Sequence, residues 1–367
     1  MKILFAANTS WYLFNFRLNL ALRLRQIGMD VVLVSPQDDF TKRLVEAGFR
    51  HHPLFIDRTG TNPIKDLRTV ADFARILRIE KPELVHFFTS KCVIYGSFVA
   101  KLMQIRKVVN SITGMGFLFT NDARNFRMLQ RLIRKAYYFS LKNTHIIFQN
   151  SDDLEELQRE FHMDPSNVFL IPGSGVDVKR FRPNYKGGNH PVVLLASRML
   201  KDKGVYEFVE AARELVSRGV MARFILVGAP DPGNPTSLSE NELKNLEKTN
   251  VIEWWGWKDK MEFVYTQADI VCLPSYREGL PKSLIEAAAC GLPIVTTDTT
   301  GCKDVVINGV NGILVPPRNP QKLADALEEL INSPDLRKKM GREGRSLVER
   351  KFENEIIISR TLDVYTL

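Results

Sequence analysis

The chain reads as an α/β protein made of two Rossmann-like domains, each a doubly wound parallel sheet. Three observations point there. Its 367 residues exceed what one hydrophobic core usually serves and suit two. Short apolar, β-branched runs alternate with amphipathic helical stretches from end to end, the pattern of βαβ units with strands covered on both faces. About six such runs fall on either side of a polar, Pro/Gly-rich stretch at 182–191, which suits an interdomain linker.

In the first half the strand candidates are 3–7, 31–35, 84–88, 108–112, 146–149 and 168–171, with helical patterns such as 17–27 and 67–79 between them. In the second half they are 192–196, 224–227, 251–255, 270–273, 294–297 and 313–315. Open sheets of this kind gather ligands beyond the carboxyl ends of their strands, so two facing domains are expected to enclose one cleft.

Composition narrows the class. A hydrophobic fraction of 44% and a charged fraction of 25% describe an ordinary globular protein. No apolar run approaches the roughly 18 residues that span a bilayer. The start, Lys2-Ile3-Leu4-Phe5-Ala6-Ala7-Asn8, turns polar too quickly for a secretory signal, so a cytoplasmic location is expected. Cys92, Cys272, Cys290 and Cys302 show no C-x-x-C spacing and read as reduced thiols. No His/Cys/carboxylate cluster has metal-ligand spacing, and the adjacent His51-His52 suits a strand or loop better than a shared ion.

Charge is uneven. Residues 1–180 hold 26 Lys/Arg against 17 Asp/Glu, a balance of +9, whereas the remainder holds 25 of each. The first half is therefore expected to meet an anionic partner: nucleic acid, anionic lipid or a diphosphate-bearing molecule.

The stretch from Pro274 through Glu278, Gly279, Leu280, Pro281 and Ser283 to Glu286 follows a buried strand candidate and opens a helix. Pro281 suits the first helical position. Gly279 permits close backbone approach, and the first helical turn offers amides to an anion. Ser283 and Glu286 share a helix face. With a diphosphate at the helix start, Glu286 lies one turn deeper, where its carboxylate can accept from ribose hydroxyls, and Glu278 reaches the other side. A plain capped surface helix is the alternative. A second cluster, Ser197-Arg198-Met199-Leu200-Lys201-Asp202-Lys203-Gly204, also joins a strand to a helix. Arg198 and Lys203 there can neutralise charge on a departing diphosphate, the work a metal does elsewhere, or can be an ordinary basic loop.

These residues resemble the family-4 retaining glycosyltransferases of GT-B fold. The family's Glu-x7-Glu segment stands at Glu278 and Glu286, and its Arg and Lys-Gly pair at Arg198 and Lys203-Gly204. Segments 298–306 and 308–316 resemble its closing motifs, with Asp304 where Glu is usual. The resemblance implies a nucleotide-sugar donor, UDP-linked, and no metal or other cofactor. It implies that Arg198 and Lys203 bind the diphosphate and Glu286 the ribose. Glu278, with the amides of Gly279 and Leu280, positions the sugar and β-phosphate, making Arg198, Lys203 and Glu278 the catalytic set. Pro281 and Ser283 complete the donor segment. Trp257 and Lys258 resemble the base-binding loop, although a core role for Trp257 is equally open. The implied domains are an acceptor-binding unit at 1–183, a donor-binding unit at 184–347, and a helix at 348–367 returning to the first.

Within the family, Phe14-Asn15-Phe16-Arg17, Thr113-Gly114-Met115-Gly116, Gly173-Ser174-Gly175-Val176-Asp177 and Asp231-Pro232-Gly233-Asn234-Pro235 are similar to a bacterial subgroup of surface-polysaccharide and glycan-assembly enzymes. That subgroup includes N-acetylgalactosaminyltransferases acting on undecaprenyl-diphosphate-linked sugars. The similarity implies a polyprenyl-diphosphate-linked saccharide acceptor, with Phe16, Arg17, Lys91, Gly114 and Gly116 near the acceptor or sugar. Many family members carry His-x-His after the fourth strand, whereas this chain has His86-Phe87-Phe88, and His86 reads as a packed strand residue.

Arg124, Arg127, Arg131, Arg134 and Lys135 share a helical pattern with Phe126, Leu129, Leu132, Tyr137, Tyr138 and Phe139. This pattern fits a packing helix with a solvated basic face, or one touching anionic lipid on the cytoplasmic face of the inner membrane. No nucleic-acid recognition module accompanies the charge. A sugar-nucleotide epimerase, a phosphorylase-like enzyme and a non-catalytic nucleotide-sugar-binding protein are the rival readings.

Overall fold

The computed structural model describes residues 1–58, 60, 62–114, 127–184 and 190–367, with backbone alone at 127–130. Met115, Gly116, Arg124 and Phe126, and the central linker residues 185–189, lie outside the described residues, as do the side chains of Arg127 and Leu129. The chain divides into two compact units, Met1–Ser174 with Glu355–Leu367, and Gly175–Asn354.

In the first unit the described strands are β1 (Lys2–Ala6), β2 (Asp30–Ser35), β3 (Arg50–Pro53), β4 (Leu84–Phe88), β5 (Lys107–Ile112), β6 (His145–Phe148) and β7 (Val168–Leu170). They form a parallel sheet in the order β3-β2-β1-β4-β5-β6-β7. The strand period of two sorts the side chains. Leu4 and Ala6 enter a core with Phe73, Ile76, Val99 and Tyr137. Ile3 and Phe5 enter the opposite core with Leu20, Leu24, Ile357 and Tyr365. Each large apolar side chain so buried contributes about 1.5–3 kcal/mol. The helix Asn354–Thr366 therefore belongs to the first unit's second core, and Tyr365 is buried there.

The second unit holds β8 (Val192–Ala196), β9 (Arg223–Val227), β10 (Glu253–Trp254), β11 (Ile270–Leu273), β12 (Ile294–Thr297) and β13 (Gly312–Val315), parallel in the order β10-β9-β8-β11-β12-β13. Val193 and Leu195 face one core, Val192, Leu194 and Ala196 the other.

Two differences from the sequence reading have physical causes. Strand β3, Arg-His-His-Pro, has no apolar run to announce it; backbone pairing of Val34 with His52 and Leu33 with His51 makes it an edge strand. Its two imidazoles go separate ways: His51 Nε2 lies 2.9 Å from Ser35 Oγ, and His52 Nε2 lies 2.6 Å from Glu80 Oε1. The unit boundaries also differ from the expected 183/184 and 347/348. The Val176 N–H donates to Phe352 O and the Asn354 N–H to Val176 O, which ties residues 175–183 and 348–354 into the second unit.

Candidate active site

In each sheet the strand order reverses beside the first strand, between β1 and β4 and between β8 and β11. Such switch points leave a crevice at the carboxyl ends of the two strands, where ligands of open α/β sheets bind. In the second unit these ends carry the sequence-predicted residues. After β8 come Arg198, a 3-10 turn at Lys201–Lys203, Gly204, and the helix Val205–Ser217. After β11 come Glu278, Gly279, Leu280, Pro281 and the helix Lys282–Ala289.

Backbone contacts stitch the two loops together. The Asp202 carbonyl accepts from the Tyr276 N–H at 2.9 Å and from Ser275 Oγ at 3.1 Å. Gly204, at φ +72°, admits this approach, because a Cβ there would sit 2.2 Å from Pro274 O. Lys203 Nζ consequently reaches Glu278 Oε1 at 2.5 Å. Arg198 Nη1 donates to Asp231 Oδ2 at 2.6 Å, with its guanidinium still about half exposed. The fold thus gathers the basic cluster and the first glutamate of the Glu-x7-Glu segment.

The second glutamate lies deeper. Pro281 stands one residue before the helix rather than at its first position, since its ψ of 105° is extended. Among the described residues no side chain caps this helix start. Ser283 and Glu286 meet at Tyr265, whose buried hydroxyl donates to Ser283 O at 3.0 Å and to Glu286 Oε2 at 3.3 Å. Lys282 Nζ approaches Glu286 Oε1 at 3.6 Å. Burial raises the Glu286 carboxyl above its ordinary pKa, against the opposing pull of Lys282, Arg180 and Tyr265. Trp257 and Lys258 follow β10 and are exposed, so Trp257 is not a core residue.

The first unit's switch point has its own features. β1 and β4, neighbours in the sheet, are each followed within a few residues by a π-helical turn, Leu13–Arg17 and Cys92–Gly96, a distortion common at functional sites. Phe16 stacks on Tyr12, with ring centroids 5.0 Å apart. Arg17 is buried: its guanidinium lies 4.3 Å from the Phe88 ring centroid and donates to the Tyr12 hydroxyl at 2.8 Å, while Nε has no hydrogen-bond partner among the described residues. Lys91 Nζ donates to Gly60 O and Asp66 Oδ1, both at 2.7 Å. Gly114 follows β5, and Gly116 lies outside the described residues. His86 is fully buried in β4, with Nδ1 2.5 Å from the Tyr365 hydroxyl and Nε2 2.7 Å from Ser111 Oγ. Burial and the nearby Arg17 hold its pKa well below the usual histidine range.

Sequence reasoning passed over Tyr265, Arg180 and Asp231 as site residues. Tyr265 and Arg180 carry no motif of their own. Asp231 stood inside a quoted motif but had no partner until the fold supplied Arg198.

Comparison with known proteins agrees with the two-unit fold. The model of Glycosyl transferase 4-like proteins matches residues 2–151, and that of Glycosyl transferases group 1 matches residues 177–347. The N,N'-diacetylbacillosaminyl-diphospho-undecaprenol alpha-1,3-N-acetylgalactosaminyltransferase of Campylobacter jejuni is 26% identical, over 100% of this chain and 98% of its own length. The UDP-Gal:alpha-D-GlcNAc-diphosphoundecaprenol alpha-1,3-galactosyltransferase of Escherichia coli is 26% identical over 72% of this chain and 70% of its own. The structure of HepE from Anabaena, in complex with UDP and glucose, superposes with a TM-score of 0.79 at 18% identity, covering 100% of this chain and 99% of that one. The chain belongs to the family-4 glycosyltransferases, enzymes built from two Rossmann-like domains of GT-B type.

Proposed function

We propose that this glycosyltransferase moves a sugar, an N-acetylhexosamine such as GalNAc, from a UDP-sugar to a polyprenyl-diphosphate-linked saccharide with retained anomeric configuration. The observation that carries the reading is the meeting of Lys203 and Glu278 at one strand-order reversal, with Arg198 on the same edge. The names of the Campylobacter and Escherichia relatives support the lipid-linked acceptor; the first also supports an N-acetylhexosamine, and the second a UDP-linked donor.

In this reading Arg198, Lys203 and the amides of Gly279 and Leu280 receive the diphosphate. Pro281 and Ser283 shape the helix start, Glu286 accepts from the ribose hydroxyls, and Trp257 and Lys258 flank the base. The bond between the anomeric carbon and the β-phosphate oxygen breaks, and its electron pair leaves with UDP. The two cations stabilise that charge, the part a divalent metal plays in other transferases, so no metal is required. The acceptor hydroxyl bonds to the anomeric carbon on the face the phosphate leaves, and its proton passes to the departing phosphate oxygen. Glu278 holds the sugar. Phe16, Arg17, Lys91 and Gly114, which follow the carboxyl ends of β1, β4 and β5, are assigned to the acceptor or sugar.

The first unit is also assigned to an anionic membrane surface, where a lipid-linked acceptor resides. The helix Pro63–Glu80 packs beside Ser97–Leu102, and that helix beside Arg127–Leu141. They expose Ile64, Leu67, Phe98, Leu102, Leu132 and Phe139. A hollow of about 500 Å³ is lined by Arg131, Lys135, Tyr138 and Phe161 among others. Apolar side chains among basic ones suit a lipid headgroup layer. Among the described residues no helix is long and apolar enough to cross a membrane.

A thermal-shift screen of nucleotide sugars, followed by mass analysis with polyprenyl-diphosphate-linked acceptors and NMR of the product anomer, tests the reading. Transfer with retained configuration, unaffected by chelator, is expected. Conversion of the donor without any acceptor points to an epimerase instead, and donor affinity without turnover or hydrolysis to a binding protein.

A further inference from the structure

We propose that Asp231 is a positioning residue whose carboxylate fixes the guanidinium of Arg198 toward the donor diphosphate. The proposal rests on the assignment of Arg198 given above. An acid beside an anion site repels the ligand and has to be explained, and the local geometry supplies the explanation.

The loop after β9 that carries Asp231 is laced along the segment that carries Arg198. The Met199 N–H donates to Ala229 O at 3.0 Å, the Lys201 N–H to Thr236 O at 2.8 Å, and the Leu238 N–H to Met199 O at 2.9 Å. Leu200 and Ser237 form an antiparallel bridge between them. At its root Gly228 has φ +145°, and a Cβ there would fall 1.7 Å from Ser197 O, so only glycine lets the two segments touch.

The loop is also tied to itself. The Asn234 N–H donates to Asp231 O at 2.8 Å, the Asp231 N–H to Ser237 Oγ at 2.9 Å, and the Thr236 N–H to Asn234 Oδ1 at 3.0 Å. Pro232 and Pro235 stiffen the same turn. Asp231 is thus the anchored partner, with 13% of its side chain exposed, and Arg198, at 46%, is the one that needs anchoring. A charge-assisted bond to one Nη of a planar, rotamer-rich side chain orients the whole fork and leaves further donors for a phosphate. Asp231 touches neither substrate nor reacting atoms in this scheme; it acts through Arg198.

The test is a double-mutant cycle on the full chain, with UDP affinity read by calorimetry and turnover alongside. Asp231→Ala is expected to weaken UDP binding about tenfold and to lower kcat, the scale of coupling for a close charged pair. In an Arg198→Ala background the same change is expected to do nothing further, a result that a merely structural loop role does not produce. Asp231→Asn, nearly isosteric, keeps an acceptor in place and should retain part of the function; it carries the cycle if the alanine variant fails to fold. Equal losses in both backgrounds, or no loss in either, overturn the proposal. An Arg198→Ala variant with parental UDP affinity and turnover overturns the donor assignment itself, and the positioning role with it.

Discussion

The Lys203 ammonium and the Glu278 carboxylate lie 2.5 Å apart, with 14% and 13% of their side chains exposed, although 75 residues separate them in the chain. The two groups neutralise each other where a diphosphate and a sugar are proposed to bind. On that proposal an arriving diphosphate would compete for Lys203 and free the Glu278 carboxylate for sugar hydroxyls.

Breaking that pair should separate stability from activity. Lys203→Met leaves Glu278 without its cation in a largely desolvated site. Removing one partner of a fully buried pair costs about 3–5 kcal/mol, and partial exposure here reduces that to roughly 1–3. Lys203→Met/Glu278→Gln should regain most of the lost stability in denaturant titrations. Both variants should lose turnover by about 10²-fold or more. A single variant as stable as the parent would contradict the coupling.

Glu286 should show the opposite balance. Its folded-state pKa is raised by burial, so between the unfolded value and that raised value the folded protein holds the proton more tightly. Stability contributed by Glu286 is present below the unfolded pKa and is lost as pH rises through the folded one. Glu286→Gln should therefore gain stability relative to the parent as pH climbs from acid to neutral, while its affinity for UDP falls. Melting curves and UDP titrations across pH check this; a stability difference that does not change with pH would refute it.

Tyr365→Phe should weaken the first unit without touching the donor site. The substitution removes the hydroxyl facing His86 Nδ1 and leaves a buried nitrogen unpaired, at a cost of about 1–3 kcal/mol. Urea unfolding should shift, while UDP affinity remains parental. Equal midpoints for variant and parent would show that the hydrogen bond contributes nothing.

Vesicle sedimentation tests the exposed apolar and basic face. Binding to phosphatidylglycerol vesicles at low salt, fading with added salt, is expected, with little binding to neutral vesicles. Lys135→Gln should weaken it about fivefold, since each basic residue near such a surface adds roughly 1 kcal/mol. Phe139→Ser should weaken it further. Binding that ignores both salt and lipid charge would dismiss the assignment.

Much of this arrangement was legible in the linear chain. Runs such as 84–88, 192–196 and 270–273 coincide with strands because buried parallel strands are written as unbroken apolar segments. Loop glycines and spacing left Glu278, Glu286, Arg198 and Lys203 open to a plain capped helix and an ordinary basic loop, and the resemblance to the Glu-x7-Glu and Arg with Lys-Gly motifs singled them out. What escaped depends on partners distant in sequence. β3 is a strand only because β2 lends it hydrogen bonds. The π turns at Leu13–Arg17 and Cys92–Gly96 leave no periodicity distinct from an α-helix. Asp231 lies 33 residues from Arg198, and no local pattern encodes that meeting. The boundary at Gly175 was misplaced because the polar stretch near 182–191 looks like a hinge, while Val176 is already bonded to Phe352.

The helix Asn354–Thr366, counted with the first unit's core, sets an order on biosynthesis. Domains generally fold as units while the ribosome is still at work, the N-terminal one first. Here Ile357, Ile358, Val364 and Tyr365 emerge only after all of Gly175–Asn354 has been made. The unit begun first is therefore completed last. Until then, the core face around Phe5 and Leu20 waits uncovered, and a nascent chain halted before residue 355 would present it to chaperones.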